Sequence, residues 1–204
     1  MRRILLVLAA VLAVFWGAGS PTAAGDPSAG TAHNHADAMF AMHMIPHHQQ
    51  AIDMSDILLA KPNIDPRVAD LANRIKAAQA PEIAQMQGWL DLWGMGGMGD
   101  MGMMPGGMPG MGHGGMGPGM GGMGMMNMGG MASESEMAAL RDAGGVDASR
   151  LYLDLMIPHH EGAITMAQNE IATGQFADEI ALCRSIATSQ QQEITEMQGI
   201  LATL

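Results

Sequence analysis

A single cysteine, Cys183, occurs in the 204 residues, which excludes an intrachain disulfide framework. Basic residues are also scarce: nine Lys and Arg stand against 20 Asp and Glu, for a formal charge of -11. That balance argues against nucleic acid and anionic membranes as partners, and it mildly concentrates cations near the surface. Catalytic signatures are missing as well. There is no Glu-x-x-His of the carboxylate di-iron oxidases, no His-Glu-x-x-His of zinc proteases and no Cys-x-x-Cys-His for c-type haem. No Ser or Cys nucleophile has a recognisable setting, so the chain reads as a non-enzyme.

The N-terminus reads as an export signal. Arg2-Arg3 forms a positive n-region, Ile4 to Phe15 an apolar run, and Thr22-Ala23-Ala24 a small-residue cleavage site. The run is short for a membrane helix of about 20 residues, so cleavage after Ala24 is expected over the alternative, an uncleaved anchor. Loss of Arg2 and Arg3 takes the formal charge to -13. No cysteine near the site could take a lipid, and no second apolar run could span a bilayer. The expected location is therefore secreted or extracytoplasmic.

What the chain does have is a repeat. Met44-Ile45-Pro46-His47-His48-Gln49-Gln50-Ala51-Ile52-Asp53-Met54 aligns without gaps on Met156-Ile157-Pro158-His159-His160-Glu161-Gly162-Ala163-Ile164-Thr165-Met166. Four of the eight histidines fall in these two segments. Imidazole and thioether are ligands for soft or borderline transition metals.

Helical periodicity surrounds both copies. Phe40, Met44, His47, Ala51, Met54 and Leu58 form one stripe, with Ala41, Ile45, His48, Ile52, Ser55 and Leu59 beside it. This helix should stop near Ala60, because Lys61 precedes Pro62. Asp65-Pro66 should then open a second helix, with Val68, Leu71, Ile75, Gln79, Glu82, Met86 and Leu90 on one side and Pro81 bending it. In the second half, Asp147 should cap a helix that carries Tyr152, Met156, His159, Ala163 and Met166. Gly174 should end it as a C′ glycine. The last helix presents Phe176, Ile180, Cys183, Ala187, Gln190, Ile194, Met197 and Leu201, with Cys183 expected as a buried core thiol.

The organisation is thus a signal peptide (1–24), a flexible leader (25–35), a first helix hairpin (36–93), a Met/Gly-rich linker (94–131) and a second hairpin (132–204). The two hairpins bury their apolar faces together as one all-α four-helix bundle. The linker holds fourteen of the 24 methionines, and glycine at this density predicts a disordered loop. Thioethers spaced by threes on flexible glycine suit loose capture of Cu(I) or Ag(I), and His113 could add one imidazole. The alternative is an inert spacer. A short helix should follow it, opened by the Ser133-x-x-Glu136 capping box.

Within the bundle, adjacent residues on a helix lie about 100° apart, so His47 and His48 should not share one ion. Met44 and His48, like Met156 and His160, lie four apart and meet on one surface. Glu82 and Glu193 precede Met86 and Met197 by one turn, at matching places in Gln79-x-x-Glu82-Ile83-x-x-Met86-Gln87 and Gln190-x-x-Glu193-Ile194-x-x-Met197-Gln198. The candidate metal ligands are therefore His47, His48, His159, His160, Met44, Met54, Met156, Met166, Glu82, Glu193, Met86 and Met197. The opposing reading is a structural network in which the histidines bond Glu82, Glu193, Gln79 and Gln190. His33 and His35 make a His-x-His pair of low specificity, and His43 has Leu155 as its counterpart in the second copy.

The two His-His segments, the two Gln-x-x-Glu-Ile-x-x-Met-Gln endings and Leu140-Arg141-Asp142-Ala143-Gly144-Gly145 resemble the secreted bacterial family of unknown function catalogued as DUF 305. The resemblance spans Ala36 to Leu201 apart from the linker. It implies a ferritin-like helical bundle and, for some members, copper or silver handling outside the cytoplasm. His47, His48, His159 and His160 with their flanking methionines are the positions that match. Gln49 stands where the second copy has Glu161, so the two sites differ in charge. The expectation is an exported, non-enzymatic protein that binds copper, as Cu(I) with Ag(I) or Cu(II) as alternatives, and that has metal ions and another exported metal-handling protein as partners. The competing expectations are a partner-docking bundle without tight metal and a ferritin-like metal oxidase.

Overall fold

The computed structural model describes residues 31–96 and 129–204. The expected signal peptide and most of the leader and of the Met/Gly-rich linker lie outside the described residues. Among them every regular element is helical: α1 (His35–Leu59), α2 (Pro66–Leu92), α3 (Glu134–Asp142), α4 (Gly145–Thr173) and α5 (Ala177–Leu201). The all-α bundle is the fold, with α1–α2 and α4–α5 as its hairpins and α3 lying against α1 and α4. No helix among the described residues is long and apolar enough to cross a membrane.

Local chemistry sets the helix ends. Asn34 and Asp37 form a capping box on α1, whose last residue precedes Ala60. Asp65 caps α2 through the Arg67 amide with Pro66 at the first helical position. Ser133 and Glu136 cap α3 reciprocally. Two expected ends are corrected. Asp147 does not cap α4: Gly145 adopts a φ of +56°, the chain turns earlier, and Gly144 takes the N-cap position. Gly174 is extended (φ -71°) rather than left-handed. Its lack of a side chain serves space, because a Cβ there would meet the Glu170 carboxylate.

The buried face of α1 follows the expected stripe: Phe40, Met44, His47, Ala51, Met54 and Leu58 are all buried. In α5 the face is rotated from the expected one. Glu179, Ile186 and Ile200 are buried, whereas Ile180, Ala187 and Leu201 are only partly so. The buried Glu179 carboxylate, gathered with Asp37 and Glu170, lies on the face that α5 turns inward.

Helices α1 and α4 run antiparallel in a constant register. His47 faces His159, Ser55 bonds Tyr152, and Asp37 approaches Glu170. Two apolar clusters lie in the bundle. Met54, Met156 and Met197 belong to one; Met44 and Met86, with Met166 packed against them, belong to the other.

Candidate metal centre

Each His-His segment sits mid-helix after a proline, and both helices run through Pro46 and Pro158 uninterrupted. Adjacent histidines on a helix diverge, and these do. His47 and His159 meet across the α1–α4 crossing with ring centroids 3.8 Å apart. His48 turns to α2, where its Nε2 lies 2.7 Å from Glu82 Oε2. His160 makes the equivalent pair with Glu193 of α5, also at 2.7 Å. The pseudo-symmetry of the sequence is therefore a symmetry of contacts, with one His–Glu pair on each flank of a central His–His pair.

All four imidazoles are at most 1% exposed. His47 Nε2 donates to the Gly129 carbonyl at 3.1 Å. His48 and His160 are held at Nε2 by carboxylates, so in the neutral ring Nδ1 is the nitrogen that carries the lone pair. Among the described residues, neither ring nitrogen of His159 and none of the Nδ1 atoms of His47, His48 and His160 has a hydrogen-bond partner. Five buried ring nitrogens are thus unpartnered. Protein interiors rarely leave such groups unsatisfied. Burial drives the His47 imidazole down to about 4, offset in part by its bond to Gly129, with His48 and His160 nearby adding to the fall. Burial, then His47, His160 and His48, push His159 well below its ordinary value. Both are neutral at pH 7 and offer lone pairs.

The donor chemistry fits a transition-metal ion. Neutral imidazole backed by a carboxylate is the arrangement in which metal-binding histidines are oriented and made more basic. Glu82 and Glu193 remain partly exposed at 17% and 15%, so each bridges a buried ring and the outer surface of the bundle. Of the opposing hydrogen-bonded network, the His48–Glu82 and His160–Glu193 bonds form, whereas both atoms of the buried Gln79 amide and Gln190 Oε1 lack partners among the described residues. Met44, Met54, Met86, Met156 and Met197 are fully buried and Met166 is partly so. They sit in the two apolar clusters, Met44, Met86 and Met166 in one and Met54, Met156 and Met197 in the other.

The layer is not a closed cage. Among the described residues, three His, Cys or carboxylate ligand atoms converge within 4.8 Å at one place, Asp37 with Glu170 and Glu179, and not here. An ion held by three imidazole or carboxylate atoms of the layer needs side-chain rotation. His33 lies elsewhere, stacked on Trp93 with centroids 4.4 Å apart. Cys183 is buried, and burial with Glu170 and Glu179 nearby raises its thiol, so it is the core thiol that its stripe position predicted.

Sequence reasoning missed one contributor. The chain leaving the linker docks on the histidine layer: Gly129 bonds His47, and Ala132 exchanges two 2.8 Å hydrogen bonds with the Gln50 side chain. Glycine is required here. A Cβ on Gly130, whose φ is +80°, would lie 1.9 Å from the Pro158 carbonyl oxygen, and one on Gly162 would lie 1.6 Å from that of Gly129. The available signal was Gly162, a glycine inside a helix where the first copy has Gln50.

The family model for a domain of unknown function, DUF305, matches residues 37–201. Among solved structures, a DUF305 protein from Streptomyces coelicolor is 34% identical over 82% of this chain and 93% of its own, with a TM-score of 0.66. A DUF305 fragment from Deinococcus radiodurans is 30% identical over 84% and 98%, with a TM-score of 0.64. CopM in its Cu(II)-bound form is 29% identical over 82% and 96%, with a TM-score of 0.61. CopM has also been solved in Cu(I)-bound and Ag-bound forms. No curated protein matches the chain.

Proposed function

The chain belongs to the DUF305 family, and from that premise we propose that it is an exported, non-enzymatic protein that binds and buffers copper. The observation that carries this reading is the buried layer of four imidazoles with five unpartnered ring nitrogens. Its likeness to CopM, which is solved with Cu(I), Cu(II) and Ag, supports a metal-handling role. The central His47–His159 pair and the flanking His48 and His160 would supply nitrogen. Met44 and Met156, each one turn before a flanking histidine, would supply thioether. That mixed donor set favours Cu(I) or Ag(I) over harder ions.

Each part has a task in this reading. Glu82 and Glu193 hold the tautomer of His48 and His160 and raise the basicity of Nδ1. Burial keeps His47 and His159 unprotonated, so copper does not compete with protons for them at neutral pH. The methionine-rich linker gathers ions loosely, and its docked end at Gly129 delivers them beside His47. In this reading the ion is cargo and undergoes no reaction.

The test is Cu(I) competition against a chromophoric chelator under reducing conditions, on the chain from Gly25 onward. A second form lacks residues 97–128 but keeps the docked Gly129–Ala132 segment. Tight copper should survive that deletion, and Glu82→Gln should weaken it by about 10-fold or more. Unchanged affinity after His47→Ala and His159→Ala in the shortened chain would refute a bundle site. Absence of binding in every form would leave a partner-docking bundle as the function.

A further inference from the structure

A second polar cluster lies about ten residues along α1 from His47, on the order of 15 Å at the helical rise. Three elements build it. Asp37 comes from the first turn of α1, Glu170 from the last turn of α4 and Glu179 from the first turn of α5. One oxygen from each lies within 4.8 Å of the other two. The residues are 0%, 3% and 0% exposed, and no Lys, Arg or His pairs with them among the described residues.

Asp37 is fully engaged. One oxygen accepts from the Asn34 amide at 2.5 Å, and the other accepts from the Gln175 and Phe176 amides at 2.9 Å each. It fastens the start of α5 to the start of α1. The Glu179 carboxylate, by contrast, is wholly buried, and among the described residues neither of its oxygens nor Glu170 Oε1 has a partner. A buried acceptor without a donor is costly, and a buried charge more so. Space has been reserved for this arrangement, since a Cβ on Gly174 would lie 1.7 Å from Glu170 Oε1. Local packing thus gathers one oxygen of each residue within 4.8 Å and, among the described residues, supplies donors to Asp37 but none to Glu179 or to Glu170 Oε1.

We propose that Asp37, Glu170 and Glu179 bind a hard divalent cation of the Mn2+, Ca2+ or Mg2+ class. The donor set is all carboxylate oxygen, which suits such ions and not the soft ions that imidazole and thioether select. The bound ion ties α1, α4 and α5 together at one end of the bundle. In the cation-free protein, burial raises Glu170 to about 8 and, with Glu170 and Asp37 beside it, Glu179 to about 9. Asp37 falls instead, because its hydrogen bonds outweigh its burial. Protons and the cation are alternative occupants of the same oxygens. The site is chemically independent of the histidine layer.

The test uses the copper-free chain from Gly25 onward, titrated with Mn2+ at mildly alkaline pH while the free Mn2+ electron paramagnetic resonance signal is followed. The expected result is one Mn2+ bound per chain, displaceable by Ca2+. Glu179→Gln, which keeps the side-chain shape, should weaken binding by about 10-fold or more. The double variant His47→Ala, His159→Ala should bind Mn2+ as the parent does. Should Glu179→Gln fail to fold by circular dichroism, Glu170→Gln gives the same readout. No loss of free signal up to about 1 mM, the weak limit for extracellular calcium modules, would overturn the proposal. Full Mn2+ affinity in a folded glutamine variant, or loss in the histidine variant, would overturn it too.

Discussion

Two helix-interior glycines should respond to alanine with opposite signs. Glycine in a helix costs about 0.5–1 kcal/mol relative to alanine. Gly88 in α2 is exposed, with no atom within 4 Å of an added Cβ, so Gly88→Ala should stabilise by about that amount. Gly162 in α4 is different. Its Cβ would fall 1.6 Å from the Gly129 carbonyl oxygen and 2.3 Å from the carbonyl carbon. These are backbone atoms, so the 129–132 segment must lift off the bundle. Three hydrogen bonds go with it: His47 to Gly129 and the reciprocal Gln50–Ala132 pair. At about 1 kcal/mol each, less the helical gain of about 1, Gly162→Ala should lose about 2 kcal/mol. Thermal unfolding of the copper-free chain by far-UV circular dichroism reads both. A domain of this size shifts by about 2–4 °C per kcal/mol, so Gly162→Ala should fall by about 4–8 °C while Gly88→Ala rises slightly. Equal stabilisation of both variants would refute the docked segment and the cover that it places over His47.

Other perturbations test other links. Ser55 Oγ donates to the Ala51 carbonyl at 2.7 Å, so the Tyr152 hydroxyl donates to Ser55 at 2.9 Å. Ser55→Ala strands a fully buried hydroxyl and should cost about 1–3 kcal/mol, whereas Tyr152→Phe leaves Ser55 bonded and should cost about 1; urea unfolding with the reverse ranking would contradict this geometry. The pH profile of copper-free, cation-free stability should have two limbs. The folded His47 value is depressed to about 4, so its contribution, about 3 kcal/mol, is present above pH 6.5 and is lost as pH falls toward 4. Glu170 and Glu179 are raised to about 8 and about 9, so their contribution is present below pH 4.5 and is lost as pH rises through those values. Above pH 6.5 stability should therefore decline with pH, by up to about 1.4 kcal/mol per unit for each carboxyl still protonated. Glu179→Gln should flatten that limb, and an unchanged slope would count against the buried cluster.

Most helix boundaries were legible because their signals are local. Asp65-Pro66 and Ser133-x-x-Glu136 act within one turn of chain, and both cap as expected. The α1 stripe was legible for the same reason, since a 3.6-residue period needs no partner to be seen. Asp147 and Gly174 take other roles than their local sequence suggests, because other residues decide their places. A left-handed Gly145 moved the start of α4, and the Glu170 carboxylate claimed the space at Gly174.

Residue order alone establishes that two hairpins of equal design exist, that paired histidines sit mid-helix on an apolar face, and that glutamates follow at matching positions. Spacing along a helix suffices for each of these. It took helix packing to make α1 cross α4 at the histidines, so that His47 meets His159 while His48 and His160 each find a glutamate on a different helix. Antiparallel register is a property of two packed surfaces, and a single helix does not encode it. The same register, carried along α1, buries Asp37 against Glu170 and Glu179. Residues 133 and 142 positions from Asp37 in the chain come together because the helices between them have fixed length and fixed rise.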